Sequence, residues 1–216
     1  MVEQDALPLI GQAKAQLTRS PEDFDDPLAL EIDWTPLPRA GKALRSHRLV
    51  QGEGFRVAFR PAAKSVVLYL VIGGFGARVL WEASQLWTAE AAINMEVVLT
   101  AAVGVVGLVF MVVRLIFLLT PMRFDRRAGR FRVGWKAHNP SGNPSQGPLD
   151  SIYALQLMRK VYMGNDQEVR RSAELNLVMR DRSRLNLLDH GDFDALAEDA
   201  EALADFLRVP LWRGSD

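Results

Sequence analysis

Two long apolar stretches interrupt a chain that elsewhere alternates between apolar and polar positions: Ser65–Trp81 and Val97–Pro121. A helix rises about 1.5 Å per residue, so roughly 20 apolar residues cross a hydrocarbon layer about 30 Å thick. The charged residues Arg78 and Arg114 lie towards the ends of the stretches, where long side chains reach the membrane interface. The pattern predicts a membrane hairpin at 63–120, with helices at about 63–83 and 97–120.

The alternative interpretation is that both stretches are buried core helices of a soluble domain. A chain of 216 residues has little else that would cover two such helices on all sides. Trp81 and Trp87 also lie where the first helix leaves the lipid, in the position of an interfacial aromatic belt. The membrane interpretation is therefore favoured.

Charge is distributed unequally around the predicted hairpin. Residues 39–64 carry seven lysines and arginines against one acid, and residues 122–136 carry six against one. The connecting segment, 82–96, has three glutamates and no lysine or arginine. Because cytoplasmic flanks of membrane helices hold the excess of basic residues, both termini are predicted to be cytoplasmic and the connecting loop to lie outside.

The composition excludes several classes of site. The chain has no cysteine, which rules out disulfides, thiolate zinc sites and cysteine nucleophiles. The net charge of zero averages the basic flanks with acidic segments near both ends. Met1–Gly11 has neither a basic start nor a long apolar stretch, so no cleavable signal is expected there.

Period-two alternation, which is typical of half-buried strands, appears on both sides of the hairpin. The apolar positions are Phe55, Val57 and Phe59 before it, and Phe131, Val133, Trp135, Tyr153, Leu155, Leu157, Leu175, Leu177, Met179, Leu185 and Leu187 after it. A few strands alone are marginally stable, so 31–60 and 122–212 are predicted to form one cytosolic domain interrupted by the hairpin. Residues 1–30 are predicted to be a flexible tail, and 162–171 a mobile loop.

A single amphipathic helix is predicted to close the chain. Apolar residues recur at the three-and-four spacing of one helical face, at Phe193, Leu196, Ala197, Ala200, Leu203, Ala204 and Leu207. Asp192 is a favourable N-cap residue, and Pro210 ends the pattern. The predicted fold class is a membrane α-hairpin of two transmembrane helices plus an α+β cytosolic domain.

Five to seven strands followed by one helix, attached to a membrane hairpin, resemble uncharacterised bacterial two-span membrane proteins with a PH-like cytosolic domain. The residues that carry the resemblance are Phe124–Phe131, Pro148–Gln156, Glu174–Val178, Asp189–Asp192 and Leu207–Trp212. The resemblance implies a PH-like antiparallel sheet or partly open barrel with one C-terminal helix, in a multi-pass protein of the bacterial inner membrane. It carries over no catalytic residue, because a fold does not by itself imply a function.

Basic residues on the outward faces of two predicted strands are candidates for contact with lipid headgroups. Arg56 and Arg60 share one face, and Arg130, Arg132 and Lys136 share another. Basic residues this close to a bilayer are attracted to anionic headgroups, although they are equally explained as topology-setting charges. Nucleic acid is not an expected partner, because no recognition motif accompanies them.

Small residues at four-residue spacing are candidates for helix packing. Gly73 and Ala77 form one such pair, and Thr100 and Gly104 the other. Small side chains let two membrane helices approach closely, either within one chain or between two copies of a homo-oligomer.

Two other clusters contain residue types that occur in active sites or metal sites, but each cluster has a simpler structural explanation. A histidine beside carboxylates, as in Asp189–Asp192, is compatible with a general base or a metal site. The favoured interpretation is a strand-to-helix turn with Asp192 as the cap and His190 at the surface. The acids Asp23, Asp25 and Asp26 match no calcium loop. No catalytic residue, metal site or cofactor is predicted.

The sequence favours a non-enzymatic protein whose cytosolic domain is a protein-interaction module or a scaffold close to the membrane. The expected partners are the lipid bilayer and an unidentified protein. Two alternatives remain open. One is an immunity protein that guards the membrane against a secreted toxin, and the other is an accessory subunit of a transporter or channel, supported by Arg78 and Arg114 within the apolar stretches.

Overall fold

The structure, a computed structural model, describes residues 13–17, 19–37, 46–52, 54–90, 94–138, 144–163 and 168–214. The chain divides into two compact units. One unit, here called the β-domain, combines residues 1–60 with residues 121–216. The other, residues 61–120, is the helix pair.

The helix pair consists of α2 (Ala63–Glu90) and α3 (Met95–Leu118). Helix α2 is longer than the predicted 63–83, because residues 82–90 contain no proline or glycine and continue the helix. The predicted loop at 82–96 is therefore mostly helical. Helix α3 begins where the Asn94 side chain accepts a hydrogen bond from the Val97 backbone N–H at 2.9 Å.

Sheet B of the β-domain contains five strands in chain order: β2 (His47–Gln51), β3 (Arg56–Pro61), β4 (Met122–Asp125), β5 (Arg130–Val133) and β6 (Gln146–Pro148). Strands β3 to β6 pair in antiparallel orientation. Strand β3 precedes the helix pair and β4 follows it, yet the two are direct neighbours. One sheet therefore joins segments from both sides of the helices.

Sheet A is also five-stranded and mostly antiparallel. Its strands are β1 (Ala13–Gln16), β7 (Ile152–Met163), β8 (Val169–Met179), β9 (Arg184–His190) and β10 (Leu211–Arg213). Strands β7, β8 and β9 form a meander, and the outer edge of β7 is occupied by β10, in parallel, and by β1. The predicted loop at 162–171 is paired strand at residues 162–163 and 169–171, and its residues 164–167 lie outside the described residues.

The main core lies between the inner faces of both sheets and helix α4 (Phe193–Leu207). Most apolar residues of the predicted strands and of the predicted helical face belong to this core or pack against it, for example Phe131, Leu155 and Leu203, each no more than 3% exposed. The Asp192 side chain caps α4 by accepting a hydrogen bond from Ala195 N–H at 3.1 Å. The result is an α+β architecture with one C-terminal helix, as predicted.

The described part of the N-terminal segment, 13–17 and 19–37, differs from the flexible tail predicted for 1–30, of which residues 1–12 and 18 lie outside the described residues. It includes β1 and the short helix α1 (Pro27–Glu31), and it covers the outer face of sheet A. Trp34 packs there against Phe24 and Trp212, with ring centroids 5.4 and 6.3 Å away. Burial of these aromatic rings supplies the stabilisation that the polar composition of the segment did not reveal.

Two aromatic residues leave the predicted alternation for local reasons. Strand β5 ends at Val133, so Trp135 is exposed rather than part of the core. A register shift between Ile152 and Ala154 turns Tyr153 towards the outer face of sheet A, where it lies near Trp212.

Candidate functional site

The helix pair leaves most of its apolar side chains uncovered. Phe75 on α2 and Val106 on α3 are 66% and 67% exposed, and both helices are long and apolar enough to cross a membrane. A core helix of a soluble protein would bury such side chains, since their exposure to water is unfavourable. Trp81 and Trp87 of the predicted aromatic belt are exposed as well.

Glycines make the closest approach between α2 and α3. A Cβ atom added to Gly104 would lie 2.6 Å from Leu80 Cγ and 2.9 Å from the Gly76 carbonyl oxygen. A Cβ atom added to Gly107 would lie 3.2 Å from Gly76 Cα. The backbones therefore approach more closely than larger residues permit.

The predicted packing residues occupy different positions at this crossing. Gly104 lies at its centre, and Gly73 faces Met111, whose side chain fills the space that a Cβ atom would take. Thr100 is half-buried. Ala77 is exposed and lies away from the crossing, because Gly76 occupies the inward position instead.

Both arginines within the apolar helices have partners. The Arg114 guanidinium donates to Tyr69 Oη from Nη2 at 3.0 Å, and it stacks over the Tyr69 ring. Arg78 forms an ion pair with Glu82 one turn further along α2. The sequence-based argument for a transporter subunit relied on these two charges, and each is satisfied within the helix pair.

The outer face of sheet B is basic. Strand pairing places the two predicted arginine groups, those on β3 and those on β5, on one continuous surface with β4 between them. The exposed arginines of this basic face are Arg48, Arg56, Arg60, Arg123, Arg130 and Arg132. Lys136 is exposed just beyond the end of β5. The five predicted headgroup residues thus lie on or next to a single surface.

The outward-facing side chains of the basic face form two rows that run across the strands, and Asp125 belongs to the first row. In the first row, Asp125 lies between Arg56 and Arg130, and it accepts a hydrogen bond from Arg56 Nε at 2.5 Å. The backbone N–H of Ala128 and the Arg56 guanidinium hold the pKa of Asp125 below its usual value. The second row places Arg123 directly opposite Arg132. Among the described strand residues of sheet B, Asp125 is the only acid, so the second row has no negative neighbour on the sheet.

Sequence reasoning missed Arg123 as a site residue, although the signal was present. The four residues 126–129 between β4 and β5 leave Asp125 opposite Arg130, and moving two residues away from the turn on each strand pairs Arg123 with Arg132. The pairing of β3 with β4 could be learned only from the structure, because about sixty residues separate the two strands along the chain.

A second charged cluster lies on the outer face of sheet A and is buried. Lys160 Nζ donates to Glu174 Oε2 at 3.1 Å and also to Asp189, and all three side chains are at most 5% exposed. Burial raises the pKa of Asp189, although Lys160 opposes that effect. The amides of Gln156 and Asn176 extend this network across the strands.

The N-terminal segment covers this buried network. Glu174 Oε1 accepts a hydrogen bond from Leu37 N–H at 3.1 Å. Arg184 donates to the Thr35 carbonyl at 2.9 Å and to Asp33 Oδ2 at 3.2 Å. The cluster is thus internally bonded and sealed, which is the arrangement expected of groups that fix a fold.

The Asp189–Asp192 cluster does not converge on one site. Asp189 points to the outer face of sheet A, towards Lys160, whereas His190 is next along the strand and points to the opposite face. His190 is fully buried, which corrects its predicted place at the surface, and its Nδ1 accepts a hydrogen bond from Asp192 N–H at 3.2 Å. Asp192 is the helix cap. In the N-terminal acidic group, Asp26 likewise caps α1 by accepting from Leu28 N–H.

A cavity of about 560 Å³ lies elsewhere in the β-domain, and its lining includes parts of β5 and β6 of sheet B and of the turn between β8 and β9 of sheet A. Its walls include Phe131, Gly147, Met179 and Leu185, and Arg180 and Asp181 are also part of its lining. Arg180 Nε donates to the Asp150 carbonyl at 2.6 Å, and Asp181 accepts from Ser183. These polar groups are thus committed to fixing the surrounding turns.

In comparison with known proteins, no protein-family model matches the chain, and no curated protein is significantly similar to it. The geometry of the helix pair and of the two sheets is therefore the basis for functional inference.

Proposed function

We propose that this chain is a two-span protein of a bacterial inner membrane, anchored by the helix pair, with the β-domain and both termini in the cytoplasm. The observation that carries the proposal is the exposure of apolar side chains around both helices, for example 67% at Val106 and at Phe117. Lipid is the solvent in which such a surface is stable. The basic residues that flank the helices in sequence support the cytoplasmic side for the β-domain.

The β-domain supports a PH-like fold within this proposal. An antiparallel sheet that includes β2 to β5 is followed by the β7 to β9 meander and by α4, which packs over the shared core. The helix pair is inserted between β3 and β4, at a point where a simple domain of this kind would have a hairpin turn.

The role proposed for the β-domain is binding rather than catalysis. Its charged cluster around Lys160 is sealed and internally bonded, whereas the arginines on the outer face of sheet B are exposed. The domain is a scaffold held beside the cytoplasmic leaflet, where its exposed surfaces meet lipid headgroups and a protein partner.

Single cysteines test the proposed topology cleanly, because the natural chain has none. The variants are Thr88→Cys near the end of α2, Ser20→Cys in the N-terminal segment and Glu198→Cys on α4, all at exposed positions. In cells with a permeabilised outer membrane, an impermeant maleimide should label Thr88→Cys, and should label the other two only after the inner membrane is disrupted. Equal labelling of all three, or recovery of the protein in the soluble fraction without detergent, would contradict the proposal.

A further inference from the structure

The cross-strand pair Arg123–Arg132 is unfavourable for folding. Like charges directly opposite each other on neighbouring strands destabilise a sheet. The adjoining positions in this row are Ala58 on β3 and Gln146 on β6, and neither carries a charge that would offset the repulsion. Both arginines are exposed, and the small side chain of Ala58 leaves the outer surface beside Arg123 open.

The acid on this face is already committed to the other row. Asp125 accepts from Arg56 and from the Ala128 backbone N–H at 2.8 Å, and it stands opposite Arg130. The excess positive charge is therefore concentrated at Arg123 and Arg132, at the end of sheet B where β3 ends and β4 begins. That end is continuous in sequence with the helix pair: α2 begins at Ala63, and α3 ends at Leu118.

Arg132 is oriented by the backbone that follows it. Its guanidinium donates from Nε to the Gly134 carbonyl at 3.2 Å and from Nη2 to the Trp135 carbonyl at 3.0 Å. Gly134 has a φ of +110°, a conformation that suits glycine and lets the chain turn at this point. Trp135, whose carbonyl bonds Arg132, is 57% exposed, and the exposed Lys136 follows it in the chain.

We infer that Arg123 and Arg132 together bind the phosphate of an anionic phospholipid headgroup. Two guanidinium groups supply several N–H donors to one phosphate, and the anion relieves the repulsion between them. Trp135 has the amphipathic character of an interfacial residue, and Lys136 and Arg60 add attraction to an anionic leaflet. The inference rests on the proposed function, which puts the β-domain at that leaflet and so favours a lipid over a soluble phosphate.

The test uses the full-length protein in neutral detergent micelles, titrated with short-chain phosphatidylglycerol and followed by calorimetry. The site variant is Arg123→Gln/Arg132→Gln. The matched control, Arg56→Gln/Arg130→Gln, removes the same charge from the row that contains Asp125. We expect the site variant to bind roughly thirtyfold more weakly, because each arginine near an anionic surface contributes about fivefold. The control should lose less than about threefold, since Asp125 already neutralises part of its row.

Further arms identify the ligand. Short-chain phosphatidylcholine, inorganic phosphate and a single-stranded oligonucleotide are titrated in the same micelles, and each should bind far more weakly than phosphatidylglycerol. Equal losses in the two double variants would overturn the site, because they would show diffuse attraction rather than a paired arginine site. Phosphate or oligonucleotide binding as tight as that of the lipid would overturn the assignment of the ligand.

The micelle titration does not depend on which side of a cell membrane the β-domain occupies. A failed titration with the expected cysteine labelling rejects the headgroup site and leaves the topology standing. Unexpected labelling rejects the proposed function, whatever the titration shows. Far-ultraviolet circular dichroism of both double variants verifies that the exposed substitutions leave the fold intact.

Discussion

The two sheets of the β-domain both carry charged side chains on their outer faces, but these side chains are buried on sheet A and exposed on sheet B. On sheet A, Lys160, Glu174 and Asp189 are buried, paired and covered by the N-terminal segment. On sheet B, the arginines are exposed, and Arg123 faces Arg132. Buried charges that pair with one another stabilise the fold, whereas like charges directly opposite each other on an exposed face destabilise the sheet.

The largest expected effect comes from breaking the buried network. Lys160→Met leaves two buried carboxylates without their cation, which costs about 3–5 kcal/mol. Hydrogen exchange of the β8 amides measures the loss in the free energy of unfolding.

The matched change on the exposed face is Arg123→Met. It should alter the same free energy by at most about 0.5 kcal/mol, in line with other surface substitutions. Similar losses in both variants would erase the distinction between a structural face and a binding face.

A smaller loss of stability is expected from a substitution in residues 19–37, the N-terminal cover that packs over the outer face of sheet A. The Asp26 side chain caps α1 and accepts a hydrogen bond from Tyr153 Oη at 3.0 Å. Asp26→Ala should therefore destabilise the cover by about 1 kcal/mol, as loss of a helix cap does. Limited proteolysis within residues 19–37 should become faster in Asp26→Ala but not in Asp150→Ala, whose side chain is exposed near the cavity. Unchanged proteolysis would show that the cover is held by its aromatic residues alone.

The smallest expected effect is a difference in pKa between one carboxyl group on each face, Asp189 on sheet A and Asp125 on sheet B. Burial raises the pKa of Asp189, whereas the backbone N–H of Ala128 and Arg56 lower the pKa of Asp125, both relative to 3.8. The contribution of Asp189 to stability is therefore present below its unfolded pKa and is lost as the pH rises through the folded value. The contribution of Asp125 is present above 3.8 and is lost as the pH falls through its folded value.

Carboxyl carbon chemical shifts, followed by nuclear magnetic resonance, measure both transitions in one sample. We expect the Asp189 midpoint above the Asp125 midpoint. The reverse order would mean that water reaches the network on sheet A and that the cover does not seal it.

The sequence predicted the features that depend on local pattern. Alternation at Phe131 and Val133 identified a strand, and the three-and-four spacing of Leu196 and Leu203 identified α4. The two apolar helices followed from length and composition. Their glycine crossing was predicted in part, because spacing places Gly73 and Gly104 on helices but does not fix which faces meet.

The sequence could not reveal features that depend on distant segments. Lys160, Glu174 and Asn176 occupy alternate positions that look like a solvated strand face. They are buried because the N-terminal segment, more than a hundred residues earlier, packs over them, as the bond from Leu37 to Glu174 shows. The arginines of β3 and β5 likewise share one face only because β3 pairs with β4 across the inserted helices, which the sequence alone does not reveal.

The pairing of Phe59 with Met122 has a practical consequence. Directly opposed residues of antiparallel strands lie about 5 Å apart, so the ends of β3 and β4 are close enough for a tight reverse turn to link them. The helix pair thus occupies a loop position whose two ends lie close together, as is common for inserted domains. Deleting residues 62–120 and joining Pro61 to Pro121 through a short asparagine-glycine linker should give a β-domain without the apolar helices, suitable for crystallisation.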